Sequence, residues 1–401
     1  MGTGHSHTFG EAAERPASPR IRRILLLALT PFLLATVIGL VVLWPEARLP
    51  GSSAFDLGFD ADLFDGTVRT ERLAPCAATA PDAGIECRVY DIEMQDGPDA
   101  GDVIVLELQD SPTSVRFDPG DRIVLARATQ PDVPDDLRYT FADFQRKRPL
   151  LLLAALFVGA VVALGRWRGL RALGGLVVSL AVLVKFVLPS ILDGNNAVAV
   201  ALVGASVIML ASLYLAHGFT DRTTTAVLGT LLSLGLTGGL AVLFIRITEL
   251  TGLADEDARI LQLSSQQLDL KGLILGGIII GTLGVLDDVT VTQVSAVWEL
   301  HQANPTMGVR RLYAAALRIG RDHIASTVNT LVLAYAGASL PLLILFVEVR
   351  RSLGDVLTGE TVATEVVRTL VGSIGLVASV PITTFLAAAV IAGWDYRKHA
   401  D

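Results

Sequence analysis

Asp287 and Asp288 stand side by side in the run LILGGIIIGTLGVLDDVTVTQVSAVW, which is otherwise apolar and long enough to cross a bilayer. A carboxylate at the centre of a bilayer costs about 2.5–3.5 kcal/mol on insertion scales, so it needs a partner, a water-filled cavity or a pathway. A carboxyl group so placed can hold a proton when dry and release it when water or a cation arrives, the basis of a proton relay or a cation site. Gly281, Gly284, Asp288, Thr292, Ser295 and Glu299 recur at spacings of three and four, which puts them on one polar, small-residue stripe of a helix. Neighbouring residues point roughly 100° apart on a helix, so only Asp288 falls on that stripe. This spacing predicts Asp288 as the coupling acid and Asp287 as a second acid or cation ligand. Asn329 and Thr330, in the next apolar run, are the expected hydrogen-bond partners of Asp288, Thr292 and Ser295. The alternative is that both acids only lock helices together.

Other chemistries find no support. There is no Ser-His-Asp order, P-loop, HExxH pair or glycine-rich dinucleotide fingerprint, so nothing argues for an enzyme or a cofactor. Cys76 and Cys87 are the only cysteines; they lack a nearby histidine and make a poor zinc site, whereas an oxidising exterior would join them as a disulfide. Asp56, Asp60, Asp62 and Asp65 lack the glycine and terminal glutamate of a calcium loop and read as a solvated acidic surface. Lys185 can snorkel to an interface, and Arg246 with Glu249, like Glu365 with Arg368, has the spacing of a structural pair. His217, His301 and His323 border polar connections and read as interfacial residues. No basic patch interleaved with aromatic residues points to nucleic acid.

The elements that must carry these residues are membrane spans. Mean hydropathy is +0.56, and 52% of the 401 residues are hydrophobic. They arrive in blocks of about 17–25, the length that crosses hydrocarbon. About eight spans follow, at 24–44, 149–165, 172–188, 197–216, 224–248, 272–298, 324–347 and 366–394. The two short ones flanking Arg166–Arg171 have the length of a tight helical hairpin. Gly277-x-x-x-Gly281 and Gly235-x-x-x-Gly239 offer flat faces for helix crossing, and Pro31, Pro341 and Pro381 predict kinks or breaks.

The net charge of −8 divides unevenly. Acidic residues crowd the segment from Pro45 to Lys147, while arginines dominate several short connections. With the N-terminus inside, roughly fourteen Lys and Arg residues flank the cytoplasmic ends against roughly nine outside, so both termini are predicted cytoplasmic. The domains expected are a tail at 1–23, an anchor at 24–44, an extracytoplasmic domain at 45–148, a multi-span body at 149–394 and a tail at 395–401. The runs CRVYDIEM, DVIVLEL, SVRF and DRIVLAR alternate like short strands, with turns at Asp96-Gly97, Gly101-Asp102 and Pro119-Gly120-Asp121. The fold class is thus an α-helical polytopic membrane protein with a small β-rich extracytoplasmic domain, a barrel or sandwich, after the first helix. The partners expected are the lipid bilayer, a proton or monovalent cation, and an unknown extracytoplasmic ligand or protein.

The run GGIIIGTLGVLDDVTVTQVSAVWEL, with HIASTVNTLVLAYAGASLPLL and EVVRTLVGSIGLVASVPITT, resembles the YibE/F-like family of bacterial membrane proteins. That resemblance implies a multi-pass protein of the bacterial plasma membrane and leaves the activity open. The order of anchor, outer domain, mid-span acid and Ser/Thr/Asn-bearing helix is also similar to the proton-conducting half of resistance-nodulation transporters. The chain lacks their large second outer domain, and such likeness is one of fold only. The functional expectation is a proton- or cation-coupled transporter or export-assisting protein. The alternative is a non-transporting scaffold or sensor whose outer domain binds partners.

Overall fold

Among the described residues of the computed structural model, six helices are long and apolar enough to cross a membrane. The structure describes residues 19–46, 62–76, 86–128, 138–254, 258–260, 268–348 and 352–395. The chain divides into two compact units, Ser52–Ala160 and the remainder.

In the smaller unit, strands β1 (Asp62–Pro75), β2 (Glu86–Met94), β3 (Val103–Gln109), β4 (Arg122–Arg127) and β5 (Tyr139–Phe144) form one antiparallel sheet in the order β3-β2-β1-β4-β5. β1 is long because it serves two partners. Its first half pairs with β4 and its second half with β2. An extra residue at Arg69 bends it between the two. The sheet curls until its outer strands β3 and β5 meet, the habit of a five-stranded, partly open barrel. The core is the inward half of each alternating strand: Val68, Tyr90, Ile92, Ile123 and Leu125, with Phe117 from a loop. SVRF is therefore not a strand, although its Phe117 packs edge-on against Tyr90. Gly97, Gly101 and Gly120 all have positive φ, so the turns fall where the sequence placed them. Asp65 accepts from the Gln145 amide at 2.7 and 2.9 Å, and Asp62 opens β1. Asp56 and Asp60 lie outside the described residues.

The larger unit is a helical body. α1 (Pro19–Val42) buries Leu25 and Leu29 and seats Gly39 on Val203. α2 (Lys147–Val182), which enters the larger unit at Val161, breaks at Arg166, where φ is 49° and ψ −129°. The chain bends back there so tightly that a Cβ on Gly169 would lie 2.3 Å from the Val161 carbonyl oxygen. A π-helical turn at Leu183–Val187 then leads into α3 (Leu188–Leu192). α4 (Ala197–His217), α5 (Asp221–Ile247), α6 (Leu270–Ala303) and α7 (Val309–Ala338) follow. α8 (Leu340–Glu348), α9 (Leu353–Thr358) and α10 (Glu360–Asp395) complete the body.

The expected count of eight spans and the six helices differ for two reasons. The predicted spans 149–165 and 172–188 lie in one 46-residue helical stretch, Lys147–Leu192, broken at Arg166. The predicted span 324–347 is split. Arginines occupy the first half of α7, which ends at Ala338 with Ser339 as its cap, and α8 restarts at Leu340 with Pro341 in its first turn, where a missing N–H costs no helical bond. By contrast α1 and α10 run on through Pro31 and Pro381.

Close crossings rest on glycines other than the two GxxxG pairs. A Cβ on Gly375 would meet Thr237 Oγ1 at 2.0 Å, and one on Gly229 would meet Thr383 Oγ1 at 2.6 Å, so α5 and α10 touch backbone to side chain. Gly276 packs on Ala201, bringing α6 against α4. Gly235 and Gly239 face open space.

Candidate functional site

α6 begins where Asp269 caps it, accepting from the Gly272 N–H at 3.0 Å, and its 34 residues rise about 51 Å. Its packed face is Leu275, Ile279, Leu283, Leu286, Val294 and Val297, held against α4, α5 and α10. Three polar contacts then fix its rotation. Thr290 shares a 2.7 Å hydrogen bond with Thr230 of α5, the Gln293 amide donates to the Ala316 carbonyl of α7 at 2.9 Å, and Asp287 meets α4.

That rotation turns Asp287 inward and Asp288 outward. Asp287 Oδ2 accepts from Ser212 Oγ at 3.1 Å, while Oδ1 is buried and has no hydrogen-bond partner. Ser212 also donates to the Met209 carbonyl at 3.2 Å, and Gly175 of α2 packs directly on the Ser212 backbone. The carboxyl group thus sits where α2, α4 and α6 converge. The polar stripe Gly281, Gly284, Asp288 and Thr292 is exposed instead. The expected pairing of Asp288 and Thr292 with Asn329 and Thr330 is not formed: Asn329 and Thr330 are exposed on α7, and Thr330 donates to its own helix at Ser326 O. α7 approaches α6 through Leu317, Ile324, Val328 and Leu331, packed around Val285 and Val289. Near Gly281 it offers the Tyr335 hydroxyl.

Ser295 and Glu299, the last two residues of the stripe, find a partner that sequence spacing did not reveal. Arg222, in the first turn of α5, donates from Nε to Ser295 Oγ at 3.1 Å and places Nη1 3.9 Å from the Glu299 carboxylate. Arg222 and Glu299 open onto a cavity of about 1090 Å³ whose walls include Arg168 and Arg171 of α2, His217 of α4 and Val291 of α6. Geometry links it to the buried acid. Val291 is one turn along α6 from Asp287, Ala216 in the cavity wall is one turn along α4 from Ser212, and Ala172 is three residues from Gly175. The helices that wall the cavity therefore converge, about one turn deeper, on the Asp287–Ser212 pair.

The remaining sequence-identified groups lie elsewhere. Glu365 and Arg368 pair at 3.0 Å beside a second cavity of about 310 Å³ at the opposite end of α6. There Glu360 accepts from the Gly252 N–H at 2.7 Å and from Thr251. Glu249 takes a positive φ of 52° past the end of α5. Cys76 and Cys87 are bonded to each other across the β1–β2 end, with Cα atoms 4.9 Å apart. Among the described residues, no group of three or more His, Cys, Asp or Glu side chains could hold a metal ion.

No curated protein and no solved structure matches the chain. The model of the YibE/F-like protein family matches residues 153–393, more than half of the length and the whole of α4 to α7. With six apolar helices and that match, the chain is a multi-pass membrane protein of the YibE/F-like family.

Proposed function

We propose that this protein is a proton- or cation-coupled membrane transporter or export-assisting protein, with Asp287 as the coupling carboxylate and Ser212 as its positioning partner. The observation that carries this reading is the half-satisfied Asp287 carboxyl group. One oxygen is hydrogen-bonded and the other is buried without a partner, about one helical turn from a large polar cavity. A buried oxygen with no donor is costly unless a proton or cation visits it. Asp288, Thr292 and Thr330 belong to the outward face and act, in this reading, as a second polar surface along α6 and α7.

The same reading places eight crossings in the bacterial plasma membrane, counting the two arms of α2 separately and α7 with α8 as one. Both termini then lie in the cytoplasm, and the Arg168, Arg171 and Arg222 end of the body faces inward, in keeping with the positive-inside rule. A second reading, a scaffold or sensor whose outer domain binds partners, draws on Leu63, Leu73, Val103 and Val105, which stand exposed on the curled sheet.

The test is proton movement into liposomes carrying a trapped pH dye under an imposed potential. Wild type and Asp288→Asn move protons; Asp287→Asn inserts and folds but does not. Identical traces for wild type and Asp287→Asn would transfer the assignment to the scaffold.

A further inference from the structure

Gly277 and Gly281 mark no helix crossing, although their spacing suggested one. The room they leave is taken by polar side chains of two other helices. A Cβ on Gly277 would stand 3.9 Å from Arg368 Nη2 of α10, and one on Gly281 would stand 3.4 Å from the Tyr335 hydroxyl of α7. Arg368 and Glu365 also line the cavity of about 310 Å³ at this end of the body. That volume lies at the lower end of small-molecule sites, about 300–1,000 Å³. Ala338, Ser339 and Leu342, where α7 gives way to α8, form another of its walls. An interrupted helix at membrane depth is tolerated where it is buried or lines a cavity, and this break lines one.

Arg368 Nη1 meets Glu365 Oε1 at 3.0 Å, on side chains 30% and 28% exposed. Nε and Nη2 share the other edge of the guanidinium, and there Nε is buried with no hydrogen-bond partner among the described residues. A pair that only braced its own helix would need the Nη1 contact alone and would not hide a costly unpaired donor. The Nε–Nη2 edge is the fork that takes a carboxylate through two parallel bonds, and Gly277 leaves the space beside it open. The other charges of the wall are matched. Glu360 accepts from Thr251 and the Gly252 N–H and feels Lys271, while Glu365 balances Arg368. A dianion would meet two carboxylates here, and a bare cation would meet the guanidinium. A zwitterion leaves the balance intact. Leu270, Leu273, Ile274 and Leu342 supply the cavity with an apolar lining for its side chain.

We propose that this cavity binds a zwitterionic apolar α-amino acid, its carboxylate on the Nε–Nη2 edge of Arg368 over Gly277 and its ammonium on Glu365 Oε2. The proposal deepens the coupling reading, on which the solute's role as cargo rests, by naming its chemical class. Binding itself does not require Asp287, which stands ten residues from Gly277 along α6, a rise of about 15 Å.

The full-length protein in phosphatidylcholine nanodiscs is titrated with tritiated leucine in a scintillation proximity assay, with no proton gradient. The expected result is saturable binding, displaced by unlabelled leucine. Leucine methyl ester and 4-methylpentanoate, which each lack one of the two charges, compete at least about tenfold less well. Arg368→Gln weakens leucine binding by about tenfold or more. Gly277→Leu leaves the Arg368–Glu365 pair in place, suits a helix and fills the space beside the fork, so it does the same; it carries the test should Arg368→Gln fail to insert. Gly284→Leu, where a Cβ meets nothing within 4 Å, keeps wild-type affinity. Absence of saturable binding overturns the site, as does equal affinity in wild type and Gly277→Leu, or competition by 4-methylpentanoate as strong as by leucine. Asp287→Asn keeps leucine affinity while losing proton movement, so the two readings fail separately.

Discussion

The Ser212–Asp287 contact carries a free energy that can be measured. Ser212→Ala removes the hydrogen bond that the described residues give the carboxyl group, and Asp287→Ala removes the carboxyl group itself. Side-chain hydrogen bonds between membrane helices average about 0.6 kcal/mol and reach about 1.7 kcal/mol. The Ser212 hydroxyl is shared with the Met209 carbonyl at 3.2 Å, which holds the value below the larger figure typical of charged acceptors. A double-mutant cycle on unfolding in bicelles should therefore return a coupling of about 0.6–1.7 kcal/mol, a factor of about 3–20 in the equilibrium constant. The matching cycle on Asp288 and Asn329, both exposed and not hydrogen-bonded to each other, should return about zero. A vanishing Ser212–Asp287 term would refute the inward placement of Asp287. Coupling confined to Asp288 and Asn329 would restore the polar stripe as the packed face.

The outer domain yields two further expectations. Cys76 and Cys87 close an 11-residue separation, for which loop entropy gives about 3 kcal/mol, so Cys76→Ser with Cys87→Ser should lower the resistance of the β-sheet unit to limited proteolysis by that order. An unchanged digestion rate would argue that sheet pairing alone sets the stability. Burial of the Tyr139 ring and its hydrogen bond to Asp99 push the phenol from 10.0 up to about 12. The stability it contributes is complete below about pH 10 and is lost as pH rises from about 10 to 12. Tyr139→Phe should flatten the decline in unfolding midpoint across that alkaline window, and a parallel decline in both proteins would contradict the assignment.

The helical body was legible wherever length and hydropathy decide. The spans 197–216, 272–298 and 366–394 each fall within a helix, and 24–44 and 224–248 overrun the ends of α1 at Val42 and α5 at Ile247 by a residue or two. So were three strands and their glycine turns, because a period of two and positive φ leave strong local marks. β1 was hidden since its two halves serve different partners, and its charged residues, Arg69, Glu71 and Arg72, form cross-strand ion pairs rather than an apolar alternation. The α7 break was hidden by the apolar residues on both sides of Pro341. Glycine spacing misled as well, for Gly229 and Gly375 make the closest crossing although neither belongs to a pair singled out by the repeat.

The site shows why a polar stripe is a weak guide to facing inside a membrane. In water an apolar face packs and a polar face is wetted, so periodicity fixes rotation. In lipid the surroundings are as apolar as the core, and rotation is set by small residues and by isolated polar pairs. On α6 those determinants are Gly276 against Ala201, Thr290 with Thr230, Gln293 with the Ala316 carbonyl, and Asp287 with Ser212. Each links α6 to a residue on another helix, and none is visible in the sequence of α6 alone. Ser212 lies in the otherwise apolar stretch VIMLASLYL, and its significance rests on a partner 75 residues away. The adjacency of the two acids then has a structural consequence. Because consecutive side chains diverge by roughly 100°, rotation of α6 by about one residue would exchange the inward and outward carboxyl groups. The contacts at Thr230, Ala316 and Ser212 oppose that rotation together, which keeps Asp287 above the cavity and Asp288 out of it.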